Sequence, residues 1–125
     1  MKQQSTIDNK KTTPNTLFSL DVIIPYLEKT NNNSWCTDVV KTKDGKNCLF
    51  GHLFDLGGGE LMDWFENIAT TYMVYPVNDG KNPNYKQETP KQRCIAYLKD
   101  LQSGKAKTTL QLMREEFECH LPITS

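Results

Sequence analysis

Cys48 and His52 stand four residues apart, a spacing that puts two helical side chains on one face. Asn47 is a suitable N-cap, so Cys48 falls at the start of a helix, where the dipole favours thiolate. Two chemistries suit these residue types. A thiol at a helix start can act as a nucleophile, with His52 or His120, the only two histidines, as its base. Alternatively, Cys36, Cys48 and His52 can bind zinc, with Cys119 or His120 as the fourth ligand, since four such ligands close a structural site. Each has an argument against it. A catalytic base normally comes from elsewhere in a fold, not from the same helix. The zinc spacings match no common finger, and adjacent Cys119 and His120 cannot easily both ligate. The plainer expectation is that Cys36, Cys48, Cys94 and Cys119 are small buried apolar residues, so no catalytic residue, metal or cofactor is assigned.

Another group of residues suits binding. Tyr75, Asn78, Asp79, Lys81, Tyr85 and Lys86 lie in or beside a segment, 76–89, rich in Pro, Asn, Asp and Gly. Such a loop of about a dozen residues is long enough to be functional. Tyrosines on it can form a lip, each with an apolar body and a polar tip. The competing expectation for Asn78 and Asp79 is an Asx turn that caps the loop by bonding its own backbone. Gly57-Gly58-Gly59 is not a phosphate loop, because no Lys-Ser/Thr follows it.

The elements that must position these residues are helical. Leu17, Leu20, Ile23, Ile24 and Leu27 recur at helical steps up to Lys29. Pro25 lies within that pattern, so either Asp21 caps a later start or the helix kinks. Asn31-Asn32-Asn33 is expected to end it. Residues 35–49, with Asp44-Gly45, suggest a short hairpin or extended arm that must lie on the helices. A short helix is expected over Cys48–Leu56, stopped by the glycines, and the longest helix over Glu60–Val74, ended from outside by Pro76. Gly51, inside the first of these, implies close approach of a backbone or a large ring, Trp35 being the obvious ring. Thr89-Pro90 opens a further helix that Gly104 closes. A last helix, capped by Thr108 or Thr109, carries Leu110, Leu112, Met113, Phe117 and Leu121 before Pro122 closes the domain. The expected fold is mainly α: a compact bundle of four to five helices with a short arm near 35–49. Residues 1–15 form a tail too polar to order themselves, and 16–125 form one helical domain.

Charge and composition narrow the function. The 125 residues carry 15 basic and 15 acidic side chains, and the net charge of zero argues against a general nucleic-acid binder. No apolar run approaches the roughly 20 residues of a membrane span. No secretory signal opens the chain, so the cytoplasm is expected, with reduced thiols. The zero hides a segregation. Residues 47–80 hold Asp55, Glu60, Asp63, Glu66 and Asp79 without a basic residue, while 81–107 hold seven bases against Glu88 and Asp100. Either the two segments face each other, or they form separate surfaces, one of which steers a partner.

One pattern is familiar. Trp35 is followed by Gly45-x-x-Cys48-x-x-Gly51-x-Leu53, then Asn78-Asp79, then a helix led by Thr89-Pro90. Over about residues 17–103 this resembles a family of short proteins of bacteria and their phages classed as a domain of unknown function. His52 departs from it, standing where a small residue is expected, and the last helix lies beyond it. The resemblance implies an architecture and a phage or mobile-element setting, and no reaction. The expected function is therefore a non-enzymatic protein-binding or regulatory module acting on a host protein. The alternatives are a small cysteine-dependent enzyme using Cys48 and a structural zinc-binding domain.

Overall fold

Ser19 opens the first helix: its hydroxyl accepts from the Asp21 N–H at 3.0 Å. This helix, α1 (Leu20–Glu28), is one of five α-helices in a mainly helical chain, of which the computed structural model describes residues 18–120. The expected tail, 1–15, and the closing Leu121 and Pro122 lie outside the described residues. The cap is thus Ser19 rather than Asp21, and Pro25 sits within the helix on its exposed side. Ile23, Ile24 and Leu27 are buried. A 3-10 turn, Asn32–Ser34, follows, started by the Asn31 side chain accepting from the Asn33 N–H.

The arm from Trp35 to Asn47 makes two isolated bridges instead of a hairpin, Trp35 and Lys41 both pairing with Asn47. Backbone bonds pin it. Cys36 N–H donates to Asn47 O (2.9 Å), Asn47 N–H to Ser34 O (2.8 Å) and Cys48 N–H to Val40 O (2.9 Å). Its tip turns through Gly45, whose φ is +90°.

The boundaries of the next two helices differ from expectation. Helix α2 (Leu49–Glu66) is two helical halves joined across a kink at Gly58 (φ +69°, ψ −162°), so the glycines end the first half as expected. Its second half stops at Glu66 instead of continuing to Val74. A tertiary contact accounts for the stop: Ile68 O accepts from the Thr109 N–H, and Thr70 N–H donates to Thr109 Oγ1. Helix α3 (Thr71–Asp79) then contains Pro76, which does not end it. The carbonyl that Pro76 leaves without its helical donor belongs to Tyr72, a residue 91% exposed. Gly80, at φ +82°, ends α3 as a left-handed cap, and Lys81 N–H closes back on Pro76 O. The connecting loop is therefore 80–89, shorter than expected.

Helix α4 (Pro90–Ser103) starts and stops as the sequence implies, with Thr89 Oγ1 accepting from Gln92 N–H and Gly104 left-handed. It packs along α1 and α3, and α2 meets both α3 and α4. Leu27, Leu49, Phe50, Phe65, Val77 and Leu98 fill the centre. Helix α5 (Thr109–His120) begins with a reciprocal cap: Thr108 Oγ1 accepts from Gln111 N–H, and Gln111 Oε1 accepts from Thr108 N–H. The helix expected here is present, but most of its apolar residues face solvent. Leu110, Leu112, Met113 and Phe117 are all exposed.

Candidate functional site

Asn78 is the centre of the expected site, and it is fully buried. It does not cap its own loop. Its Oδ1 accepts from the Leu49 N–H at 3.0 Å, so a residue of α3 caps the start of α2. Its Nδ2 donates to Cys36 O on the arm and to Asp79 Oδ1, both at 3.0 Å. The Cys94 thiol of α4 reaches Oδ1 at 3.5 Å. One amide thus ties three helices and the arm. The expected cap, Asn47, instead donates through Nδ2 to Asp55 at 2.8 Å, and Cys48 occupies the N-cap position without a side-chain bond.

Cys48 and His52 are both buried, but Cys48 is the extended N-cap of α2 and the two have different neighbours, Asp79 for Cys48 and Trp35 and Ser34 for His52. Cys48 is 1% exposed, and burial pushes its thiol pKa up, with backbone donors at Gly51 and Phe50 opposing. The geometry holds a protonated thiol. Cys36 and Cys94 are likewise buried and shifted upward by desolvation. At pH 8, native protein is expected to alkylate at Cys36, Cys48 and Cys94 at least about 100-fold more slowly than in urea, as burial in apolar surroundings requires. Peptide mapping of iodoacetamide adducts reads this. A Cys48 modified as fast in native protein as in urea would show an open thiol.

His52 lies under Trp35, ring centroids 4.3 Å apart, and Trp35 Nε1 is fixed by donating to Thr30 Oγ1 at 2.8 Å. The Nε2 atom of His52 is buried without a partner. Burial lowers the His52 pKa, and a hydrogen bond with the Ser34 backbone opposes this. Because the folded pKa is depressed, the unfolded chain takes up the proton first. Stability is therefore complete above the ordinary value of 6.5 and falls as pH drops below it. Chemical denaturation at stepped pH should show this slope in the native chain and lose it in His52→Gln. Trp35 thus packs on His52 and not against Gly51. What approaches Gly51 is the arm: a Cβ there would stand 2.7 Å from Val40 O and 2.6 Å from Asn47 Oδ1.

No group of three or more His, Cys, Asp or Glu among the described residues is arranged to hold a metal ion. The side chains of Cys119 and His120 lie outside what is described.

The six expected binding residues divide between two sides. Tyr75 and Asp79 line a shallow cavity with Asp38, Val39 and Val40 of the arm. Asp38 is left-handed there (φ +72°), and its N–H donates to Asp79 Oδ1 at 3.1 Å. Lys81, Tyr85 and Lys86 line another cavity, beside Gly80 and Arg93. Asn78 lies buried and lines neither. The acidic and basic segments face each other, α3 packing on α4 with Arg93 bonded to the Val77 and Asn78 carbonyls, but through backbone rather than through ion pairs. The ion pairs among the described residues are Lys41–Asp55, Lys99–Glu28 and Lys107–Glu115, and none joins 47–80 to 81–107.

Two features escaped the sequence reading. Arg93 is 7% exposed and donates three hydrogen bonds to backbone carbonyls, those of Val77, Asn78 and Gln87. Its place at four-residue steps from Tyr97 and Leu101 was the available signal. The other is the uncovered face of α5, where Leu110, Met113 and Phe117 are 55%, 61% and 64% exposed. No family model, no curated protein and no solved structure matches the chain.

Proposed function

We propose that the chain is a non-enzymatic protein-binding module that presents α5 to an apolar groove on another protein. One observation carries the reading: Leu110, Met113 and Phe117 recur at helical spacing on a face open to water. Burying one such side chain is worth about 1.5–3 kcal/mol, so three can anchor a helix. The resemblance to short bacterial and phage proteins supports a phage or mobile-element accessory factor acting on a host protein. The buried thiol of Cys48 favours this reading over the cysteine-dependent enzyme.

The test uses Met113→Asp and Phe117→Asp, which lie on an exposed face and should leave the melting temperature unchanged. A partner recovered with native protein should cross-link to α5 through an apolar groove and lose at least about tenfold in affinity with either variant. Undiminished binding by both variants ends the reading. A native dimer in sedimentation that Phe117→Asp dissolves would make a second copy of this chain the occupant instead.

A further inference from the structure

The 80–89 loop and the first turn of α4 enclose a cavity of about 320 Å³ whose charged walls are all of one sign. Lys81 and Lys86 line it from the loop, and Arg93 lines it from α4. No Asp or Glu lines it. Lys81 and Lys86 are exposed, and neither has an ion pair among the described residues.

Arg93 supplies a fixed charge beneath the two lysines. Its three hydrogen bonds all go to neutral carbonyls, and no carboxylate pairs with it among the described residues. Buried charges are ordinarily paired, and this one has no counter-ion. The carbonyl end of α3 offsets part of one positive charge out of three. The guanidinium also lies close under the surface. Gly80 is exposed, and a Cβ on it would stand 3.3 Å from Arg93 Cζ. A cleft of single-signed charge with low-dielectric walls concentrates the opposite ion.

We propose that this cavity binds a phosphate dianion, free or as a monoester, between the Lys81 and Lys86 ammonium groups and above the Arg93 charge. The contacts belong to the two exposed lysines. Arg93, 7% exposed, acts through its field. A single carboxylate would leave most of the positive excess unmet. A phosphate monoester carries about −1.5 to −2 at pH 7 and offers three acceptor oxygens to the two ammonium groups. The volume stands at the small end of ligand pockets, about 300–1,000 Å³, which suits a compact head group. None of the walls comes from α5, so this proposal and the docking of α5 stand or fall separately.

Titration of the full chain at pH 7.5, followed by amide NMR, tests this with glycerol 2-phosphate, inorganic phosphate and dimethyl phosphate. Glycerol 2-phosphate should shift the amides of 80–87 with a Kd of about 1 mM or tighter. Dimethyl phosphate, with a single charge, should bind at least about fivefold more weakly. Lys81→Gln and Lys86→Gln should each weaken glycerol 2-phosphate at least about threefold, with the melting temperature unchanged. Lys105→Gln removes a charge of the same basic segment outside the cavity and should leave the Kd unchanged. Tighter binding of the ester than of inorganic phosphate assigns an esterified ligand, and equal binding assigns the free ion. No shift at about 10 mM, equal binding of dimethyl phosphate, or an equal loss in Lys105→Gln overturns the proposal.

Discussion

Asn78→Ala is expected to lower the folding stability by about 3–5 kcal/mol, a large part of the 5–15 kcal/mol of a typical domain. The magnitude comes from the separate losses. Leu49 N–H, the first donor of α2, loses its cap, worth about 0.5–2 kcal/mol. Cys36 O is left in a buried place without its donor, and such an orphan costs about 1–3 kcal/mol. The vacated volume lies in fully buried surroundings and adds to both. Asn78→Leu refills the volume without restoring the bonds and should recover only part of the loss. Asn78→Asp keeps the acceptor for Leu49 but loses the donor, and sets a buried carboxylate beside Asp79. It should be no better than alanine at pH 7. Urea unfolding of the three variants gives the numbers. A loss under about 1 kcal/mol in Asn78→Ala would mean that packing alone holds α2 on α3.

Arg93→Ala is expected to cost a similar amount, about 3–5 kcal/mol, and Arg93→Lys about 2–3 kcal/mol. The guanidinium satisfies three carbonyls at once, at 3.0 Å for Val77 O and 2.8 Å for both Asn78 O and Gln87 O. Two of these belong to the last turn of α3, where the helix dipole also favours a cation. Gln87 O ties the following loop to the same group. A lysine ammonium is a single point on a flexible stem and cannot span all three. Hydrogen exchange should show where the loss falls: amides of the 80–89 loop should exchange faster in both variants, ahead of those in α1. Native-like exchange and stability in Arg93→Lys would show that charge, and not the planar fork, is what the site requires.

What the sequence disclosed depended on how local the signal was. Helix α4 was legible at both ends because threonine, proline and glycine act within their own turns. Helix α1 was legible in its apolar face, less so in its cap. The junction of α2 and α3 was not legible. Pro76 looked like a terminator, yet it lies within α3, four residues after the exposed Tyr72, and the real break is held by Thr109, some forty residues downstream. At Gly51 the close approach was foreseen, but the approaching group is the Val40 carbonyl and not the Trp35 ring. For the candidate site, residue type foretold the burial of Cys48, whereas the burial of His52 under the Trp35 ring could not be read from spacing. Asn78 was singled out for a role in its own loop, whereas its partners are 29 and 42 residues away in the chain. The periodicity of α5 forecast a helix, but periodicity is silent on whether a face is covered.

The cap that Asn78 lends to α2 has a consequence for the order of events on the ribosome. A chain is made from its N-terminus at about 5–20 residues per second, and α2 emerges before the residue that starts it. The Leu49 N–H has no native acceptor until α3 follows, and the carbonyl of Asn78 itself waits for Arg93. Nascent chains shorter than about residue 94 therefore hold helices without the node that joins them, and arrest-peptide force profiles should stay flat until α4 is released. The joining of the helices during synthesis is a late step, set by the passage of the first turn of α4, which carries Arg93.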